Sequence, residues 1–248
     1  MIYAFSPEGI ACLAGVMATR PLLAFDIDGT LAPIVDDPHA ARVPPAIERC
    51  LDELARGYDV AIITGRAVAD ARSMFAFEPR YLVGNHGAEG IARWAERSRG
   101  YLDTVRRWRE RLAACEPLTA TGVAIENKRY SLSLHYRRAA DHHAAYRAIR
   151  ACIEPLEPAA KIIDGKAVVN LLPPGAPNKG DALRALIDET ERPAALYVGD
   201  DDTDEAVFGL DLPSVLTVRV EPSDDSRATL FVRDQREVLT LLQHLVRL

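Results

Sequence analysis

No stretch of this 248-residue sequence approaches the roughly 20 consecutive apolar residues that a membrane-spanning helix needs. A long basic run is missing too. Lys and Arg total 30 against 36 Asp and Glu, a formal charge of −6, so the electrostatic footprint of a nucleic-acid binder is absent. Cysteine is scarce: Cys12, Cys50, Cys115 and Cys152 are too dispersed for a zinc or redox motif, and reduced, mostly buried thiols are expected. There is no internal repeat and no low-complexity segment. The fairly apolar Ile10 to Ala18 is preceded by no basic residue, and Glu8 lies where a signal peptide would carry positive charge. Ser6-Pro7-Glu8 instead fits the capped start of a short amphipathic helix. A soluble cytoplasmic protein without nucleic-acid or membrane partners is expected; protein partners are left open.

What is present begins with Leu22-Leu23-Ala24-Phe25-Asp26-Ile27-Asp28-Gly29-Thr30-Leu31, an apolar run that ends in two carboxylates and a Gly-Thr turn. Residues two apart on a strand share a face, so Asp26 and Asp28 face one reacting group together if the extended geometry persists. Gly29 lets the backbone turn around an anion, and Thr30 offers it a hydroxyl and an amide. The competing reading is a hairpin closed by Asp-Gly. Pro44 to Arg56 then reads as a helix and Tyr58 to Ile63 as a buried strand. Further strands fall at Tyr81-Leu82-Val83, Ala195-Leu196-Tyr197-Val198 and Val215-Leu216-Thr217-Val218. Helical patterns lie between several of them, so an α/β fold with a doubly wound, mainly parallel sheet is expected. Such sheets bind ligands beyond the carboxyl ends of their strands, where Asp26, Thr64, Asn85 and Asp200 fall.

The middle of the chain has a different pattern. Tyr101 to Ala114 reads as a charged helix; Tyr130, Leu132, Leu134 and Tyr136 then alternate with Ser131, Ser133, His135 and Arg137 as in a half-exposed antiparallel strand. Gly122 to Glu126 is its expected neighbour, and Asp141 to Ile153 a covering helix. Lys161 to Asp164 and Lys166 to Leu172 form a hairpin through Asp164-Gly165. Arg99-Gly100 and Pro173-Pro174-Gly175-Ala176-Pro177 bracket this region as turn and linker. The expectation is an inserted α+β cap over 100–175, in a core formed by 1–99 and 176–248, with the two brackets allowing the cap to move.

The residue types point to phosphoryl chemistry. Asp26 is suited to attack phosphorus, with Asp28 as the acid that protonates the departing alkoxide and the base that activates water. Carboxylates repel a phosphate dianion, so the site needs a cation. Gly199-Asp200-Asp201-Asp202-Thr203-Asp204-Glu205 offers hard oxygen ligands for magnesium: Asp26, Asp28 and Asp200 directly, with Asp201 and Asp204 around them. A calcium-binding EF-hand is disfavoured, because Glu205 stands where its tight turn needs Gly and Asp211 where a bidentate Glu is usual. Lys179-Gly180, opening a helix, supplies positive charge for phosphate, and Thr64-Gly65-Arg66 a hydroxyl and amides. Singly, each of these is as consistent with a surface residue or an ordinary turn.

In that order, Asp26-Ile27-Asp28-Gly29-Thr30, Thr64, Lys179 and Gly199-Asp200-Asp201 resemble the motifs of haloacid dehalogenase-like phosphohydrolases. More narrowly, Gly84-Asn85-His86-Gly87-Ala88-Glu89, Glu126-Asn127-Lys128, His135-Tyr136-Arg137, Gly165-Lys166 and the Gly199 to Glu205 motif resemble trehalose-6-phosphate phosphatases, over Leu22 to Phe208. This resemblance implies magnesium-dependent hydrolysis of trehalose 6-phosphate, with the sugar gripped by the cap. Arg66, Asn85, His86, Glu126, Lys128, His135, Arg137 and Asn170 are then the candidate sugar-phosphate contacts. Asn170 departs from the family, which usually has Glu there; hydroxyls can still be bound, with one charge fewer. A phosphatase or mutase for another sugar phosphate, or a non-enzymatic sugar-phosphate sensor, are the alternatives.

Overall fold

The computed structural model describes residues 1–35, 37, 40–165 and 167–248, without the side chain of Arg97. They form two compact units, Met1–Ile91 with Pro177–Leu248, and the intervening Ala92–Ala176. The first unit opens with β1 (Ile2–Tyr3), α1 (Pro7–Met17), β2 (Leu22–Phe25), α2 (Pro45–Leu54), β3 (Val60–Ile63), α3 (Val68–Arg72) and β4 (Tyr81–Val83). The second holds α4 (Ala95–Ala113), α5 (Glu116–Thr119), β5 (Ala124–Asn127), β6 (Leu132–His135), α6 (His142–Ile153), β7 (Lys161–Gly165) and β8 (Val168–Leu172). The chain completes the first unit with α7 (Lys179–Thr190), β9 (Ala195–Gly199), α8 (Glu205–Phe208), β10 (Val215–Val220), β11 (Leu230–Val232) and α9 (Arg236–Arg247).

The large sheet has the order β1-β11-β10-β9-β2-β3-β4, and every neighbouring pair is parallel. Its central strands are apolar throughout because both faces are covered: every residue of β2, β3 and β9 is buried. With β2 between β9 and β3, the Asp-Gly hairpin is excluded. The adjacent strands β9, β2, β3 and β4 end at Gly199, Phe25, Ile63 and Val83, which delivers Asp200, Asp26, Thr64 and Asn85 to one end of the sheet. Ser6 caps α1 by accepting from the Gly9 amide at 3.1 Å. Among the described residues no helix is long and apolar enough to cross a membrane.

The second unit is a four-stranded antiparallel sheet, β5-β6-β8-β7, with helices on one face. Leu132, Leu134, Val169 and Leu171 pack there with Trp108, Leu112 and Ile149. On the other face the register sets Glu126 opposite Ser133, and Ser133 opposite Asn170. Four local expectations are corrected. Arg99-Gly100 lies inside α4, because the helical pattern runs through a single glycine whose missing side chain leaves open space. The β7–β8 hairpin turns after Gly165, which pairs with Val168; Ala167 takes φ 60° there, and Lys166 lies outside the described residues. Ser131 and Ser133 are buried, not solvated.

The fourth correction concerns the thiols. Cys115, the N-cap of α5, is disulfide-bonded to Cys152 of α6, across a sequence separation of 37; Cys12 and Cys50 are free. Distance along the chain hid a pair that helix packing brings together. A closed loop of this length is worth about 4 kcal/mol on the chain-entropy account. Reduction should therefore destabilise the second unit by roughly that amount, read from urea unfolding with and without reductant. An unchanged midpoint for the second unit would show that the bond contributes nothing.

Candidate active site

Asp26 continues β2 by one residue, its amide donating to the Val198 carbonyl at 3.0 Å. It is 4% exposed. Its Oδ1 accepts from the Ile27 amide at 2.7 Å, and its Oδ2 from the Lys179 ammonium at 2.7 Å. The extended geometry stops here. The Ile27 carbonyl accepts from the amides of Thr30 and Ala32 at 3.2 and 2.8 Å, and Gly29 takes φ 78°. Asp28 therefore sits on a turn, held by the Arg66 fork: Nε to Oδ2 and Nη2 to Oδ1, each 2.6 Å.

Lys179 is the first residue of α7, whose start is fixed by a reciprocal cap: Asp181 N donates to Asn178 Oδ1 at 2.9 Å and Asn178 N to Asp181 Oδ2 at 3.0 Å. The helix start drives its side chain inward, 1% exposed, so the surface reading is excluded. The ammonium bridges Asp26 and Asp204, the latter at 2.8 Å. Asp204, fully buried, accepts on Oδ1 also from the Tyr197 hydroxyl at 2.5 Å, and on Oδ2 from the amides of Asp200 and Asp201 at 2.9 and 3.0 Å. Four donors saturate this carboxylate, which makes it the anchor of the acidic loop.

One carboxylate oxygen from each of Asp26, Asp201 and Asp204 lies within 4.8 Å of the other two. With Asp204 saturated, Asp26 and Asp201 have the coordinating capacity. Asp200 points toward the Gly29 turn: its Oδ1 accepts from the Thr30 hydroxyl at 3.0 Å, and a side chain at Gly29 would collide with it. Asp28 stands outside the group. Thr30 is also committed otherwise than expected. Its hydroxyl serves Asp200, its amide the Ile27 carbonyl, and the Gly29 amide the Ala32 carbonyl at 2.8 Å. These donors fold the turn and are not presented to an anion.

Burial pushes Asp26 well above the usual carboxylate range; Lys179 opposes this, while Asp204, Asp201 and Asp200 add to it. Burial opposes the Lys179 charge, but Asp204 and Asp26 outweigh it and hold the ammonium well above its usual range. Burial, then Asp204 and Asp201, lift Asp200 to about 7. For Asp201 desolvation also resists ionisation, yet its side chain is 52% exposed, and Lys179 with two Thr203 hydrogen bonds draws it to about 2. Oxygen donors whose mutual repulsion exceeds what one lysine offsets form a fitting site for a hard dication.

The trehalose-phosphatase family pattern matches residues 24–229. The chain belongs to this family. It is 32% identical over 245 residues to the trehalose-phosphate phosphatase of Mycobacterium ulcerans, covering 90% of this chain and 60% of that protein. The chain thus spans about three fifths of such curated relatives. The C-terminal domain of Candida albicans trehalose-6-phosphate phosphatase superposes with a TM-score of 0.70 at 26% identity, covering 96% of both chains. For the Aspergillus fumigatus trehalose-6-phosphate phosphatase the TM-score is 0.63 at 26% identity, with both chains fully covered.

The expected sugar contacts are divided between the two units. On the sheet of the second unit, Glu126 Oε2 meets His135 Nε2 at 2.7 Å and Lys128 Nζ at 3.9 Å. Asn170 Oδ1 accepts from Ser133 Oγ at 2.6 Å, and its Nδ2 donates to the Ile163 carbonyl at 3.4 Å. Arg137 lies beyond the end of β6, exposed. In the first unit, Thr64 is 1% exposed and accepts from the Arg66 amide at 3.3 Å, while Gly65 gives room to the His86 ring. Two residues without a signal of this role in the sequence motifs support the site: Tyr197, which bonds the Asp204 anchor, and Gln235, whose Nε2 donates to the Thr30 carbonyl at 3.1 Å. Tyr197 was signalled by a phenol in an otherwise aliphatic strand; Gln235 by nothing local.

Proposed function

We propose that the chain hydrolyses trehalose 6-phosphate to trehalose and phosphate through a phosphoryl-Asp26 intermediate, with magnesium as its metal. The observation that carries this is the pair of restraints on Asp26. A backbone amide and a buried ammonium fix its carboxylate at the end of the central strand, with a second aspartate two residues on. Asp26 attacks phosphorus while Lys179 offsets the charge of the carboxylate and the phosphoryl oxygens. Asp28, protonated on one oxygen and still held by Arg66 through the other, gives that proton to the departing sugar oxygen and takes one back from the water that frees Asp26, so the cycle closes. Asp26 and Asp201, with Asp200 beside them, are the residues that would hold magnesium, which would supply the charge neutralisation that one lysine cannot.

Phosphate release should be measured from trehalose 6-phosphate, sucrose 6-phosphate and glucose 6-phosphate, with magnesium and with chelator. Preference for the trehalose ester and loss of release on chelation are expected. Equal release with chelator would remove the metal from the account. The raised Asp200 sets a sign for pH. Below about 7 this carboxyl keeps its proton, which a cation must displace, so magnesium affinity should fall about fivefold from pH 7 to 6, approach tenfold per unit below 6, and gain no more than about twofold from this group above 7. Titration calorimetry checks this. Without metal, a carboxyl raised in the folded state favours folding at low pH, and that contribution disappears as pH rises through about 7.

The second unit is proposed as the sugar-reading cap, with Glu126, Lys128 and His135 as its hydroxyl-binding groups. One observation favours a second reading, a phosphatase with wider sugar-phosphate range: the Asn170 amide is already engaged by Ser133 and Ile163. The ester screen separates the two. The cytoplasm is the proposed compartment, although the Cys115–Cys152 bond is unusual there; thiol alkylation of protein taken directly from cells tests it.

A further inference from the structure

Between β4 and the start of the second unit the chain makes a costly turn. Asn85, His86 and Gly87 take φ values of 51°, 55° and 116°, so two side-chain-bearing residues in succession occupy the left-handed region. The turn is buried: Asn85 is 0% and His86 9% exposed. Its polar groups grip the segment that follows β3. Asn85 N donates to the Arg66 carbonyl at 2.7 Å and His86 N to the Thr64 carbonyl at 3.0 Å. Glu89 Oε2 accepts from the Val68 amide at 2.9 Å and from Asn85 Nδ2 at 2.8 Å, which joins the two segments again. The fit is close. A side chain at Gly84 would lie 2.6 Å from the Arg66 carbonyl, and one at Gly65 2.5 Å from the His86 ring.

We propose that Asn85 and Glu89 are positioning residues, which hold the backbone of Arg66 so that its fork meets Asp28, and are not ligands of the sugar phosphate. The inference rests on the assignment of Asp28 above. Arg66 reaches both Asp28 oxygens in parallel, a geometry that tolerates little displacement of its backbone. The backbone on either side of it is fixed by no strand: β3 ends at Ile63 and α3 starts at Val68. The left-handed turn supplies that restraint from outside, which is a physical reason for its strain.

Four variants test this. Asn85→Gly keeps access to the left-handed backbone and Asn85→Val does not; Glu89→Gln keeps an acceptor oxygen and Glu89→Ala has none. Asn85→Val and Glu89→Ala should lose on the order of 10²-fold in kcat, the scale of a 1 Å misplacement, at nearly unchanged KM. Asn85→Gly and Glu89→Gln should recover most of it. A raised KM at preserved kcat in the Ala and Val variants, or equal losses within each pair, would overturn the proposal. A second readout is independent of turnover. The Arg66 Nε–H proton resonance of the substrate-free protein, identified by its loss in Arg66→Lys, should keep its charge-assisted downfield position in the Gly and Gln variants and lose it in the others. Retention in all four overturns the proposal. A variant that unfolds by circular dichroism is set aside, and the other pair decides. A wild type that releases no phosphate would defeat the functional reading alone, leaving the resonances to decide the positioning role.

Discussion

Asp26→Asn is expected to lower kcat by at least about 10⁴-fold, because an amide oxygen neither attacks phosphorus effectively nor leaves a hydrolysable intermediate. The fold should survive. Asp26 is buried and its carboxyl is pushed well above the usual range, so at neutral pH its charge opposes folding in the metal-free protein. A neutral amide of the same shape removes that opposition and still accepts from Ile27 N, while the Lys179 ammonium keeps Asp204 as its buried carboxylate partner. Melting without metal should therefore be unchanged or higher at pH 8, with the advantage shrinking toward pH 5 as the wild-type carboxyl takes up its proton. Stopped assays beside thermal melts check both halves. Substantial metal-dependent turnover by the variant would remove Asp26 from the nucleophile role.

Lys179→Met should have the largest effect on stability. The ammonium is the cation bonded to two buried carboxylates, Asp26 at 2.7 Å and Asp204 at 2.8 Å. Methionine fills comparable length but leaves both carboxylates without that charge, and breaking a buried pair in this way costs about 3–5 kcal/mol. The cost depends on pH. Burial already raises both carboxyls, so as pH falls they are neutralised in the variant and its deficit should narrow. Urea unfolding at pH 8 and pH 5 gives the comparison. A deficit below about 1 kcal/mol at pH 8 would show that the carboxylates are compensated elsewhere. Activity should fall as well, since Asp26 loses one of its two restraints.

The parts legible in the sequence were those with dense local signals. Apolar runs at Leu22 to Phe25, Tyr58 to Ile63, Tyr81 to Val83 and Ala195 to Val198 became β2, β3, β4 and β9, the four neighbouring strands whose ends carry Asp26, Thr64, Asn85 and Asp200. Strands β1 and β11, of two and three residues, are too short for a period to show. The Cys115–Cys152 bond and the burial of Ser133 depend on packing between distant segments, which spacing does not report. The most consequential difference lies inside the best motif. Strand parity put Asp26 and Asp28 on one face, but the Ile27 carbonyl closes a turn, and Asp28 is aimed by Arg66 instead. Thr30 has a hydroxyl suited to phosphate, and the fold uses it to hold Asp200. Residue type stated what chemistry was available; hydrogen bonding decided where each group was spent.

The central claim is that Asp26 carries the phosphoryl group. Wild-type protein should be mixed with trehalose 6-phosphate and magnesium, quenched within one turnover in acid and treated with borohydride, which reduces an aspartyl phosphate to homoserine. Peptide mass spectrometry should find homoserine at position 26, with none when substrate is omitted. Modification of a different carboxylate, or an unmodified residue 26 under conditions where phosphate is released, would contradict the account.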